Sequence, residues 1–169
     1  MAELRLIAAA LLVAACRASE ADTGASGLTP PQGWQSLPAL AKTATDAAKE
    51  TGIVVDATEA WGETSRGCYA AWIALRGGGG APDGMAEALV KSLSIEPALF
   101  GIIVRDVVKP APGAKTGVLS FTFERGLYQG KLRATLADDG KIAALACFWN
   151  PREPIACEQG CAQLVGTMR

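Results

Sequence analysis

The stretch YQGKLRATLADDGKIAALACFW, residues 128–149, decides the fold. In its first half Leu132, Ala134 and Leu136 alternate with Lys131, Arg133 and Thr135. That period of two puts one side of a strand on a core and the other in water. The tetrapeptide ADDG, 137–140, then interrupts the pattern with a hairpin signature, and Gly140 stands where a positive φ is expected. A second run, KIAALACFW, returns along the first. Just upstream, VLSFTFE alternates in the same way, with Leu119, Phe121 and Phe123 on the inner side. Three strands joined by short turns predict an antiparallel meander.

Working toward the N-terminus, FGIIVRDVV reads as a buried strand because it is almost continuously apolar. Before it, residues 84–94 predict a helix with Met85, Leu89 and Leu93 on one side and Asp83 as its cap. IVVDATEAW and CYAAWIALR read as two further strands around the turn GETSRG. PALAKTATDAAKET, 38–51, predicts another helix, with Leu40, Ala44, Ala47 and Ala48 on one face and Gly52 as terminator. Beyond the meander, residues 154–168 predict a last helix with Cys157, Cys161, Leu164 and Met168 in one stripe. Strands grouped in a meander, with helices set apart, imply an α+β domain. The expectation is an antiparallel sheet of about 5–6 strands with three helices, the C-terminal one packed on the sheet in a two-layer or three-layer sandwich. This layout resembles the PsbP-like family of small α/β sandwich domains in element order and in its hairpin-then-helix end. The resemblance implies a binding or assembly role and carries over no site residue.

The N-terminal end has a different character. LIAAALLVAA, 6–15, is an uninterrupted apolar run, shorter than the roughly 20 residues of a membrane-spanning helix and of the length of a signal-peptide core. It ends on Val13-Ala14-Ala15-Cys16, after which the chain turns polar as RASEADTGASGLTPPQG. VAAC is similar to a bacterial lipobox. That resemblance implies cleavage before Cys16 and a diacylglyceryl group on its sulfur. Arg17 follows, where an aspartate would favour inner-membrane retention, so the outer membrane is implied. Each buried CH₂ adds about 0.8 kcal/mol, and two or three acyl chains hold a protein where one does not. The expected organisation is therefore a signal peptide over 1–15, a lipidated cysteine and flexible tether over 16–33, and one domain over 34–169.

Cys68, Cys147, Cys157 and Cys161 then remain, and an even number in an exported chain reads as two disulfides. Cys157 and Cys161 share a helix face, and their nearly parallel Cβ vectors disfavour bridging each other. Cys147 ends the strand that feeds the helix and Cys157 begins the helix, which predicts Cys147–Cys157 and leaves Cys68–Cys161. No zinc or other metal site is expected in an exported chain, and no cofactor motif is present.

Composition narrows the chemistry. The 169 residues carry a net charge of -1, too little positive charge to track nucleic acid. Half are hydrophobic and the mean hydropathy is +0.21, enough for a real core. There is no histidine, which excludes Ser-His-Asp and Cys-His catalysis and every imidazole-ligated metal. GAKTG, 113–117, lacks the glycine that a phosphate loop needs before its lysine, and GGGG, 77–80, lacks a spaced glycine pattern. Asp138 and Asp139 read as turn residues. Trp61 and Trp149, at strand ends, read first as rim packing and second as a partner or ligand surface. The expected function is thus a non-catalytic envelope lipoprotein that meets an envelope protein. A small-ligand carrier with an aromatic-lined pocket is the first alternative. An envelope hydrolase using Glu59 and Glu63 is the second.

Overall fold

The computed structural model describes residues 25–49, 53–95, 101–150 and 154–168. The leader, Cys16, Arg17 and the helix terminator expected at Gly52 lie outside the described residues. The strands are β1 (Gln35–Ser36), β2 (Val54–Glu63), β3 (Cys68–Arg76), β4 (Ile103–Val108), β5 (Thr116–Arg125), β6 (Tyr128–Ala137) and β7 (Lys141–Trp149). The helices are α1 (Pro38–Lys49), α2 (Pro82–Ile95) and α3 (Pro154–Thr167).

The strands form one sheet in the order β1-β2-β3-β7-β6-β5-β4, with every neighbouring pair antiparallel. The α+β class is as expected, but the sheet has seven strands rather than five or six. The additional strand is β1, two residues paired with Trp61 and Gly62, too short to leave a period in the sequence. The β6–β7 hairpin turns at Gly140, whose φ is +85°.

Alternation along the strands creates two cores. On one face Leu119, Phe121 and Phe123 of β5 join Leu132, Ala134 and Leu136 of β6 and Ile73 and Leu75 of β3. There α1 packs on β2 and β3, and α2 on β5 and β6, inserting Leu40, Ala44, Ala48, Met85, Leu89 and Leu93. Each large side chain so buried contributes about 1.5–3 kcal/mol. On the opposite face α3 lies over β3 and β7. Beneath it sit Trp61, Ala70, Trp72, Leu145 and Trp149 with the four cysteines.

β4 departs from its reading as a buried strand. It is an edge, and Ile103, Val107 and Val108 are 49%, 37% and 59% exposed. A long apolar edge invites pairing with another chain, and bulges protect against it. Here the register shifts between Arg105 and Val108, where Asp106 has φ 54°. The Thr122 hydroxyl donates to the Asp106 carboxylate at 2.8 Å, fixing the bulge to β5.

Candidate functional site

The site of most chemical interest is the α3 face, where the cysteines, the tryptophans and Glu59 all meet. The four cysteines form two disulfides, but not in the pairing expected. Cys68 is bonded to Cys157 with Cα atoms 5.2 Å apart, and Cys147 to Cys161 with Cα atoms 5.8 Å apart. The reason is sheet order. β3 and β7 are neighbours, so Cys68 sits opposite Trp149, at the end of the sheet where α3 begins. The first turn of α3 therefore meets Cys68. Cys147 lies farther in, opposite Ala70, and is reached one turn later by Cys161. Both bridges are fully buried. They fasten one helix to two adjacent strands, and the Lys131–Glu158 ion pair at 3.4 Å adds a tie to β6.

Trp61 and Trp149 are not a surface. They are 3% and 2% exposed, because their strand positions point to the face that α3 covers. Trp149 Nε1 finds no hydrogen-bond partner among the described residues. The apolar side chains that do reach solvent include Leu127, Ile155 and Val54 along with those of β4. Edge position explains those of β4, whereas Leu127 lies in the β5–β6 turn, Ile155 in the first turn of α3 and Val54 at the start of β2.

The two carboxylates proposed for acid–base work are not brought together. Glu59 and Glu63 are four residues apart on one strand without an intervening register shift. At about 3.3 Å per residue their Cα atoms are roughly 13 Å apart, and the two side chains turn to different partners. Glu63 instead meets Arg66 of the β2–β3 turn at 3.3 Å. Glu59 is buried and holds the chain that precedes β1. Its Oε1 accepts the backbone N–H of Ala25 and, at 3.0 Å, that of Ser26. Its Oε2 accepts the Ser26 hydroxyl, and that hydroxyl oxygen accepts the Leu28 N–H at 3.1 Å. Leu28 then packs into the disulfide core, Pro31 is buried, and the Trp34 indole lies over Gly160 of α3. Residues 25–34, expected to belong mostly to a flexible tether, are therefore part of the packed domain.

This strap and the C-terminal end of α3 border an open-sided pocket of about 600 Å³. Trp72 and Ala143 line it from the sheet, Ser26 to Thr29 from the strap, and Gly166 to Met168 from the helix. Among the described residues no charged side chain lines it. A second cleft of about 370 Å³ lies between α1 and β2, with Lys42, Lys49 and Asp56 at its margin. Among the described residues no group of three or more acidic or thiol side chains could hold a metal ion, and no helix is long and apolar enough to cross a membrane. The sequence matches no family model and has no significant similarity to a curated protein.

Proposed function

We propose that the protein is a bacterial envelope lipoprotein, anchored in the outer membrane by lipid on Cys16, whose folded domain has a non-catalytic binding or assembly role. The observation that carries this reading is the pair of buried disulfides stapling α3 to the sheet. Such bridges persist in oxidising compartments and are rare in the cytosol. The Val13-Ala14-Ala15-Cys16 motif supplies the anchor, and a tether raises effective concentration so that a weak interface suffices. The PsbP-like order of elements fits a binding role. So does the use of Glu59 and Glu63 in structural contacts rather than as a facing pair. Labelled palmitate should enter the wild-type protein in a bacterial host and be absent from Cys16→Ser. A wild-type protein that takes up no label refutes the anchor.

The pocket beside Trp72, lined by no charged side chain among the described residues, favours a second reading, a small-ligand carrier. Gly166 borders that pocket, and a Cβ there meets nothing within 4 Å. Native mass spectrometry of protein purified from envelopes would then show a bound molecule that Gly166→Trp loses. Identical unliganded masses for both proteins dispose of the carrier.

A further inference from the structure

We infer that the lane of sheet beside α3, over β6 and β5, receives an amphipathic helix of a partner protein that brings an acidic side chain to Arg133. The inference rests on the binding role proposed above and deepens it by giving the partner a shape and a charge. The lane begins where α3 stops covering the sheet. Leu145, Cys147 and Trp149 of β7 lie under α3 and are almost wholly buried. One strand away, Lys131, Arg133 and Thr135 of β6 point to the same face, followed by Ser120 of β5. These four are half-buried or exposed, because α3 rests on β3 and β7, and α2 covers β5 and β6 from the opposite face.

The width fits a helix. Strands lie about 4.8 Å apart, so the line between β6 and β5 runs about 10 Å from the line between β3 and β7, to which α3 is bridged. Packed helices lie about 8–10 Å apart, axis to axis. One wall of the lane is the flank of α3. Glu158 reaches Lys131 of β6 at 3.4 Å, so this flank faces the lane, and Ile155, Ala162 and Val165 share it at helical spacing. The far rim is β4, whose exposed Ile103 and Val108 pair with Glu124 and Ser120 and so turn to the same face. Such apolar margins suit the apolar stripe of an amphipathic helix.

Charge selects the partner. Two nearby cations on this face are already answered, Lys131 by Glu158 and Arg105 by Glu124 at 3.8 Å. Arg133 is not. It stands between Ser120 and Leu145, and its Nε is buried without a hydrogen-bond partner among the described residues. Burying a polar group unpaired is costly, and a carboxylate matches a guanidinium best by accepting two of its N–H groups. An aspartate or glutamate on the incoming helix supplies that match.

Photocrosslinking of the full-length protein, in the cells that make it, tests this. p-Benzoylphenylalanine is introduced at Ser120 on the floor of the lane and, for reference, at Lys91 of α2 and at Val54 of β2, both exposed. Irradiation through position 120 should give a heteromeric product. Its crosslinked peptide, sequenced by mass spectrometry, should carry apolar residues at helical spacing with an aspartate or glutamate among them. Arg133→Glu should lower the yield about tenfold or more, because like charges then meet, and Arg133→Gln should lower it less. Changing the partner's acidic residue to lysine should restore the product in Arg133→Glu. Near-UV circular dichroism and intact bridges verify that each variant is folded. A product that survives Arg133→Glu, a peptide without an acidic residue, or a product joining two copies of this chain overturns the inference. Products from positions 91 or 54 with none from 120 leave a binding role and remove the lane. No product from any of the three removes both.

Discussion

Removing the Cys68–Cys157 bridge should destabilise the domain more than removing Cys147–Cys161. The bridges span 89 and 14 residues respectively. A crosslink limits the unfolded ensemble by an amount that grows with the logarithm of its loop, which gives about 4.5 kcal/mol for the long bridge and about 3 kcal/mol for the short one. The comparison uses Cys68→Ala with Cys157→Ala, and Cys147→Ala with Cys161→Ala, so that no free thiol remains. All four side chains are fully buried, so each double variant also loses similar sulfur packing. The difference between them, about 1.5 kcal/mol, is then loop entropy. Non-reducing urea unfolding reads it directly. With a slope near 2 kcal/mol per molar, loop entropy alone should lower the midpoints by about 2.3 M and 1.5 M, and the lost packing should lower both further by a similar amount. A reversed or equal order refutes the entropic reasoning. The pairing itself is checked on intact protein with a Glu-specific protease, because Glu158 separates Cys157 from Cys161. A fragment joining Cys68 to Cys161 would refute the connectivity.

Two glycines of α3 should respond oppositely to alanine. At Gly160 an added Cβ falls 2.7 Å from Trp34 Cζ2, so Gly160→Ala should destabilise by about 1–3 kcal/mol. At Gly166 it meets nothing, so Gly166→Ala should stabilise by about 0.5–1 kcal/mol through helix propensity. Thermal melts of both variants check the pair, and like signs would contradict the packing. The Arg76 guanidinium donates Nη2–H to Asp56 at 2.7 Å and holds that carboxyl below its ordinary value of 3.8. A depressed carboxyl favours folding above its unfolded value and loses that contribution as pH falls through the folded one. In Arg76→Gln, an NMR titration should therefore show Asp56 moving up toward 3.8, and an unchanged titration would contradict the pairing.

Most of the first core was legible in the sequence because it obeys local periods. Leu119, Phe121 and Phe123 alternate, Leu40, Ala44 and Ala48 recur at helical spacing, and all are buried as expected. What stayed hidden depends on neighbours distant along the chain. The bridge pairing turned on β3 lying beside β7, a contact between residues some seventy positions apart that no local pattern encodes. The exposure of Ile103 and Val108 followed from β4 being last in the sheet, which apolar content alone cannot reveal. The strap was missed for a related reason. ASGLTPPQG has the composition of a linker, and what holds it, Glu59 and the disulfide core that Leu28 enters, lies more than thirty residues away. Glu59 carried a faint signal, an acidic residue two positions before Trp61 and so on the same face of the strand. Such a residue must find donors somewhere. Trp61 and Trp149 show the converse, since a tryptophan at a strand end can be a rim or a core depending on whether a helix covers it.

The central position of β3 beside β7 has a further consequence for how the molecule comes into being. The β2–β3 hairpin is complete at Arg76, but its inner partner is finished only at Trp149. An exported chain crosses its membrane unfolded, so the apolar ribbon CYAAWIALR keeps one flank unsatisfied until the segment ending at Trp149 has also emerged. A chain with that requirement is a natural client for chaperones, and the need is written into the strand order rather than into any single residue.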